Sequence, residues 1–116
     1  MDDNPDADAV ILPSPNYYGI CSNVRKIAEE VHKRGKVLIV DQAHGAHLRF
    51  FEKYAGNDEG SACAECGFPE SAETQGADIV INSIHKTLAS FTQSALLNLT
   101  SDRVNPFVME DKLQTI

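Results

Sequence analysis

The sequence predicts an α/β chain built on a partial, mostly parallel sheet with flanking helices. Three observations carry that expectation. Val37-Leu38-Ile39-Val40 is an unbroken, β-branched-rich run, the pattern of a parallel strand covered on both faces. A helix-period segment precedes it, and a shorter apolar run, residues 9–12, stands before that segment. Strand, helix, strand in this order is a crossover unit.

Taken in order, Ala9-Val10-Ile11-Leu12 is a buried strand stopped by Pro13 and Pro15, and Tyr17-Tyr18-Gly19 falls in the loop beyond it. Ser22 is the expected cap of a helix whose apolar positions Val24, Ile27, Ala28 and Val31 share one face, with Arg25, Lys26, Glu29, Glu30 and Lys33 toward water. Gly35 supplies the stop. The strand after it ends at Asp41. Residues 55–68 lack periodicity and are expected to form a surface loop containing Cys63-Ala64-Glu65-Cys66. A short helix from Pro69 to Thr74 then leads through Gly76 to a third strand, residues 78–82, followed by Ser83-Ile84-His85-Lys86. Residues 94–99 are a candidate fourth strand, and Val104 to Ile116 have the look of the opening of a further helix.

Composition narrows the function. The 116 residues hold 42% apolar side chains, enough for a core, and 10 Lys and Arg against 17 Asp and Glu give a net charge of -7. That balance argues against nucleic-acid and anionic membrane partners. No apolar run approaches membrane-spanning length, the amino terminus Met1-Asp2-Asp3 is acidic, and three cysteines fit reduced thiols, so the expected setting is cytoplasmic.

Ligands of open parallel sheets gather at the carboxyl ends of the strands, where this sequence places Asp41 and the segment Ser83 to Lys86. A lysine amine can condense with an aldehyde cofactor, and pyridoxal phosphate also needs an anion against its ring nitrogen. Lys86 and Asp41 supply that pair, and Ser83 with His85 could meet the phosphate. On composition alone, a strand-terminal aspartate is commonly a capping residue and a lone lysine is solvated.

The segment Ser83-Ile84-His85-Lys86-Thr87-Leu88-Ala89-Ser90-Phe91-Thr92-Gln93-Ser94-Ala95 resembles the cofactor-lysine signature of the Orn/Lys/Arg decarboxylase family. Pro15-Asn16-Tyr17-Tyr18-Gly19, Val40-Asp41-Gln42-Ala43-His44-Gly45-Ala46-His47 and Gly76-Ala77-Asp78 are similar to that family in the same order, so the resemblance spans about residues 9–100. It implies the aspartate-aminotransferase-like fold of fold-type-I pyridoxal enzymes, of which residues 1–116 would be an incomplete, central part of the large, cofactor-binding domain. It further implies pyridoxal 5'-phosphate as cofactor, Lys86 as the lysine that holds it, Asp41 at the ring nitrogen, and Ser83 and His85 at the phosphate. Ala43 and His44 are expected beside the ring, His44 with a catalytic part, and His47 in a structural one. The implied activity is decarboxylation of arginine, lysine or ornithine to an amine and carbon dioxide, in a homodimer or higher oligomer. The sequence departs from the family's pattern at Gln42, where glutamate is usual, and at Ile81, where a smaller residue is common.

Three other readings stay open at this point. An aminotransferase on the same fold uses the same aspartate and lysine, although the long segment after Lys86 favours a decarboxylase. A truncated, non-catalytic remnant would expose sheet edges and apolar faces. Cys63 and Cys66 with His44 and His47 would make a four-ligand zinc site, but one C-x-x-C is half of such a signature, and the expectation is no metal. Cys21 is expected to be a small apolar residue, and Tyr17 and Tyr18 either approach the substrate or cover the sheet edge.

Overall fold

The computed structural model describes residues 4–54 and 68–115, with the backbone alone for 52–54. The expected C-x-x-C loop, with Cys63 and Cys66, lies outside the described residues. Strand β1 (Ala9–Pro13), helix α1 (Val24–Lys33) and strand β2 (Val37–Asp41) form the crossover unit, and β1 pairs parallel with β2 from Ala9↔Val37 to Pro13↔Asp41. Strand β3 (Ile79–Ser83) adds in parallel to β2, and β4 (Ala95–Leu99) closes the series antiparallel to β3, giving a four-stranded sheet in the order β1-β2-β3-β4. The fold is therefore the mostly parallel α/β arrangement that the apolar runs predict, with the fourth strand running opposite.

Helix α1 has ten residues, too few to persist alone in water, so its burial decides its stability. Val24, Ala28 and Val31 are fully buried against Leu38, Val40 and Val80, with Val10, Leu12 and Ile27 packed at the margin. Each such Leu or Val contributes about 1.5–3 kcal/mol on leaving water. The cap is Asn23 rather than Ser22. The Asn23 side chain accepts from the Lys26 N–H at 3.1 Å, whereas Ser22 sits one residue too early, its N–H bound to the Ser14 hydroxyl at 3.0 Å. At the other end Gly35 adopts φ +67°, and the N–H groups of Gly35 and Lys36 return to the carbonyls of His32 and Val31 at 2.9 and 3.2 Å. That pair of bonds is a Schellman stop, and the left-handed backbone explains the glycine.

Three further expectations need correction. Residues 72–76 form a series of turns rather than the helix expected from Pro69 to Thr74. The Ala72 N–H is spent on the Gln42 side-chain carbonyl at 2.7 Å, and Gly76, at φ +92°, swings the chain into β3. The β2 run is also not covered equally on both faces: Leu38 and Val40 are wholly buried under α1, while Val37 and Ile39 are half-buried. Along that second face, register aligns Ile11 with Ile39 and Ile81 with Leu97, and Ile11 is 70% exposed, so β1, at the edge of the sheet with no fully buried residue, is not the buried strand expected. Helix α1 packs on the first face, whereas Ile11, Ile81 and Leu97 remain in contact with water on the second. The last helix, α3 (Pro106–Gln114), follows the sequence reading. Asn105 caps it, accepting from Phe107 and Val108, and Pro106 stands in its first turn.

Asp78 ties these parts together. Its side chain is fully buried just before β3. Oδ2 accepts the Leu38 N–H at 2.8 Å and lies 2.8 Å from His32 Nε2 on α1; Oδ1 accepts the Ser101 hydroxyl at 2.5 Å. Burial opposes its ionisation, but these bonds outweigh burial and hold the carboxyl below its ordinary range. Beyond β2, Gly45 sits in a turn where an added Cβ would lie 2.5 Å from Pro15 Cδ and 2.8 Å from Gln42 Cγ.

Two outcomes are expected. Asp78→Ala leaves the buried Leu38 N–H without an acceptor and costs about 3 kcal/mol in urea denaturation at pH 7. Because the folded carboxyl titrates below its unfolded value of about 3.9, that contribution is complete above the unfolded value. It is lost as pH falls through the folded one, so the two chains converge in acid. Gly45→Ala forces Pro15 or the tethered Gln42 aside and lowers stability by about 1–3 kcal/mol, read as a drop in Tm.

Candidate functional site

Parallel pairing of β2 with β3 brings two segments to one sheet edge. Asp41 ends β2 and stands opposite Ile81, and Ser83 ends β3 two residues later, leading directly into the short helix α2 (Ile84–Thr87) that carries His85 and Lys86. The ladder continues past Asp41, since the Gln42 N–H donates to the Ile81 carbonyl at 2.8 Å and the Ser14 N–H to the Asp41 carbonyl at 2.9 Å. Asp41, Ile81 and Ser83 alternate onto the face opposite α1, so their side chains belong to the open side of the sheet.

Asp41 is exposed. Its Oδ1 accepts the Ala43 N–H at 2.9 Å, which fixes the carboxylate and turns the chain, while Oδ2 has no protein donor among the described residues. Lys86 is exposed and makes no ion pair among the described residues, with Asp41 or any other carboxylate. The Ser83 hydroxyl makes no cap bond to α2 and no other protein hydrogen bond among the described residues. These are an anion, an amine and a hydroxyl held by backbone on one edge with their polar ends unspent. That donor set fits an aldehyde cofactor bearing a basic ring nitrogen and a phosphate.

His85 is more constrained than the sequence suggests. Its Nδ1 lies 3.0 Å from the Ser94 carbonyl, which can only accept, so Nδ1 carries the proton and Nε2 of the neutral ring is an acceptor. The ring therefore donates to a phosphate only as imidazolium. His44 lies in the turn after β2 with its ring edge-on to Tyr17 at 5.7 Å between centroids, and Tyr17 meets Tyr18 at 5.6 Å in the same way. Both tyrosines are at least 80% exposed. Pro15, Tyr17, His44, His47 and Leu48 line a cleft of about 320 Å³. His47 packs edge-on against Phe51. Its Nδ1 and the Thr87 Oγ1 are the two buried side-chain polar atoms without a partner among the described residues. His47 lies six residues after Asp41, and Thr87 directly follows Lys86.

Sequence reasoning missed what lies beneath this edge. Gln42, Asn82 and Asn98, from three adjacent strands or their ends, point to the α1 side and converge on Glu73. The Gln42 amide donates to Glu73 Oε2 at 2.9 Å and to the Asn82 carbonyl at 3.1 Å; Asn82 and Asn98 donate to Glu73 Oε1 at 2.9 and 3.1 Å. Burial pushes the Glu73 carboxyl up, but its own backbone N–H and the three amides outweigh that and hold it below the ordinary glutamate range. The one available signal was polar residues at inward strand positions, where an apolar side chain is the rule. Cys21 is exposed rather than a buried apolar residue, with its thiol pushed up by partial desolvation. Among the described residues no three His, Cys, Asp or Glu side chains gather as metal ligands, and no helix is long and apolar enough to cross a membrane.

Comparison with known proteins places the chain in a family. The chain is 36% identical over 105 residues to an arginine decarboxylase of Halalkalibacterium halodurans, covering 90% of this chain and 18% of that protein. It is 31% identical over all 116 residues to an arginine decarboxylase of Bacillus subtilis, covering 20% of that protein, and 39% identical over 102 residues to the uncharacterized protein YaaO of the same organism, covering 87% of this chain and 18% of that one. The chain thus spans about a fifth of the length of these relatives. Residues 1–116 match the family described as Orn/Lys/Arg decarboxylase, major domain, and the chain belongs to that family.

Proposed function

We propose that this chain carries part of the site of a pyridoxal-phosphate-dependent decarboxylase of basic amino acids, with arginine as the substrate. The observation that carries the reading is the common edge: parallel strands β2 and β3 put Asp41 and the Ser83–Lys86 segment side by side at their carboxyl ends. The names of two relatives, both arginine decarboxylases, support the choice of substrate.

Lys86 Nζ is the amine that would hold the cofactor's aldehyde carbon, and its exposure without an ion pair leaves it available. Asp41 would keep a proton on the ring nitrogen, with Oδ1 anchored by the Ala43 N–H and Oδ2 toward the ring. Ser83 would donate its hydroxyl to the phosphate, and His85 would join it as imidazolium, its Nδ1–H held by the Ser94 carbonyl. Ala43 and His44 would border the ring, with Tyr17 fixing the His44 edge. Bound there, pyridoxal phosphate supplies the electron sink that loss of carbon dioxide from an α-amino acid requires. Groups from a second copy of the chain would complete the substrate pocket in a homodimer, and the setting would be cytoplasmic.

Incubation with pyridoxal phosphate, borohydride reduction and peptide mass mapping tests the assignment. Modification is expected to fall on Lys86, to vanish in Lys86→Ala, and to drop about tenfold or more in Asp41→Ala as the charge-assisted contact to the ring is lost. Labelling spread evenly over the lysines, or unaffected by the loss of Asp41, would overturn it.

A further inference from the structure

The buried network under the site edge has a specific geometry. Glu73 does not approach the open face where Asp41 and Ser83 point; it lies on the α1 side, yet its partners are the immediate neighbours of those residues. Gln42 follows Asp41 and Asn82 precedes Ser83, and both are almost wholly buried. Every polar atom of the Gln42 amide is used: Oε1 accepts the Ala72 N–H at 2.7 Å, and Nε2 donates to Glu73 Oε2 and to Asn82 Oδ1. Glu73 Oε1 takes the Asn82 and Asn98 amides. One carboxylate therefore grips the ends of β2 and β3 together and braces them against β4.

We propose that Glu73 is a positioning residue, its carboxylate fixing the spacing between Asp41 and the Ser83–Lys86 segment through Gln42 and Asn82, and that residues 42 and 73 work as one amide–carboxylate pair. The first half rests on the proposed function for its consequence at the cofactor; the second stands on the network alone. A glutamate at 42 would keep the Ala72 N–H bond but would set its second oxygen against Glu73 Oε2, two carboxylates where one is held. A glutamine at 73 would set its NH2 group either against the Gln42 NH2 or against the NH2 groups of Asn82 and Asn98, and turning Gln42 over would forfeit the Ala72 bond. Exchanging the two restores one carboxylate, now at 42, facing one amide at 73, but leaves Asn82 Oδ1 without the donor that Gln42 supplies, so the exchange recovers the 42–73 bond alone.

The test compares the natural chain with Glu73→Gln, Gln42→Glu and the double exchange, first without cofactor. Amide hydrogen exchange is followed at Gln42, whose N–H binds the Ile81 carbonyl, and at Leu38, held by Asp78 at the far end of the same strand. Each single change is expected to speed Gln42 exchange about tenfold or more relative to Leu38, and the double exchange to recover part of that loss, exchanging more slowly than either single change. Should Glu73→Gln not fold, Asn98→Ala removes one donor from Glu73 and is expected to give a smaller acceleration confined to Gln42. Equal acceleration at both amides, or a double exchange no slower than the singles, overturns the pair. Pyridoxal phosphate affinity, read by absorbance, is expected to follow the same order. If the exchange order holds and no chain binds the cofactor, the proposed function fails while the clamp stands. If the natural chain binds and the singles bind equally well, the positioning role fails.

Discussion

The pairing of β2 with β3 is the constraint on which the rest depends, and a carboxylate braces it at each end, Asp78 wholly buried and Glu73 half-buried. Asp78, before β3, accepts the Leu38 N–H near the start of β2, while Glu73 binds the amides of Gln42 and Asn82 where the two strands finish. A carboxylate withdrawn from water is costly unless its oxygens are satisfied, and those of Asp78 and Glu73 are. Between these braces Leu38, Val40 and Val80 press against α1. The apolar contacts supply most of the stabilisation, but being non-directional they tolerate small slips of one strand past its neighbour. The braces do not, since a shift of one residue would strand a carboxylate among apolar groups.

That division of labour separates the two faces of the sheet. The α1 face holds the core and, at its end, the amide–carboxylate network. The opposite face carries Asp41 and Ser83 at its carboxyl edge and apolar Ile11, Ile39, Ile81 and Leu97 along its length, with Ile11 largely in contact with water. The bracing network lies on one face and the proposed site on the other, connected by strand alternation: Asp41 next to Gln42, Ser83 next to Asn82. Glu73 thus binds the neighbours of Asp41 and Ser83 from the face opposite the one to which those two side chains belong.

Much of the site was legible in the sequence because its signals are local. Asp41 at the end of an apolar run and the thirteen residues from Ser83 to Ala95 were recognisable in place. The state of His85 was not. Its proton is set by the Ser94 carbonyl, nine residues away across the turn into β4, and spacing says nothing of which ring nitrogen that carbonyl meets. Cys63 and Cys66 belong to the undescribed stretch, so the zinc reading gains no geometric support.

By itself the sequence determined the elements whose cause lies within a few residues. Helix α1 follows from its apolar spacing, its end from Gly35, the strands from their β-branched runs, and α3 from Asn105 and Pro106. Only the tertiary structure decided which way β4 runs, that Asn23 rather than Ser22 caps α1, that residues 72–76 turn instead of forming a helix, and that Gln42, Asn82 and Asn98 share one carboxylate. The reason is the range of the forces involved. Helix and strand patterns report on neighbours three or four positions away, whereas Gln42 and Glu73 are 31 residues apart and Leu38 and Asp78 are 40. Such partners are chosen by the shape and polarity of the folded chain, which no local pattern records.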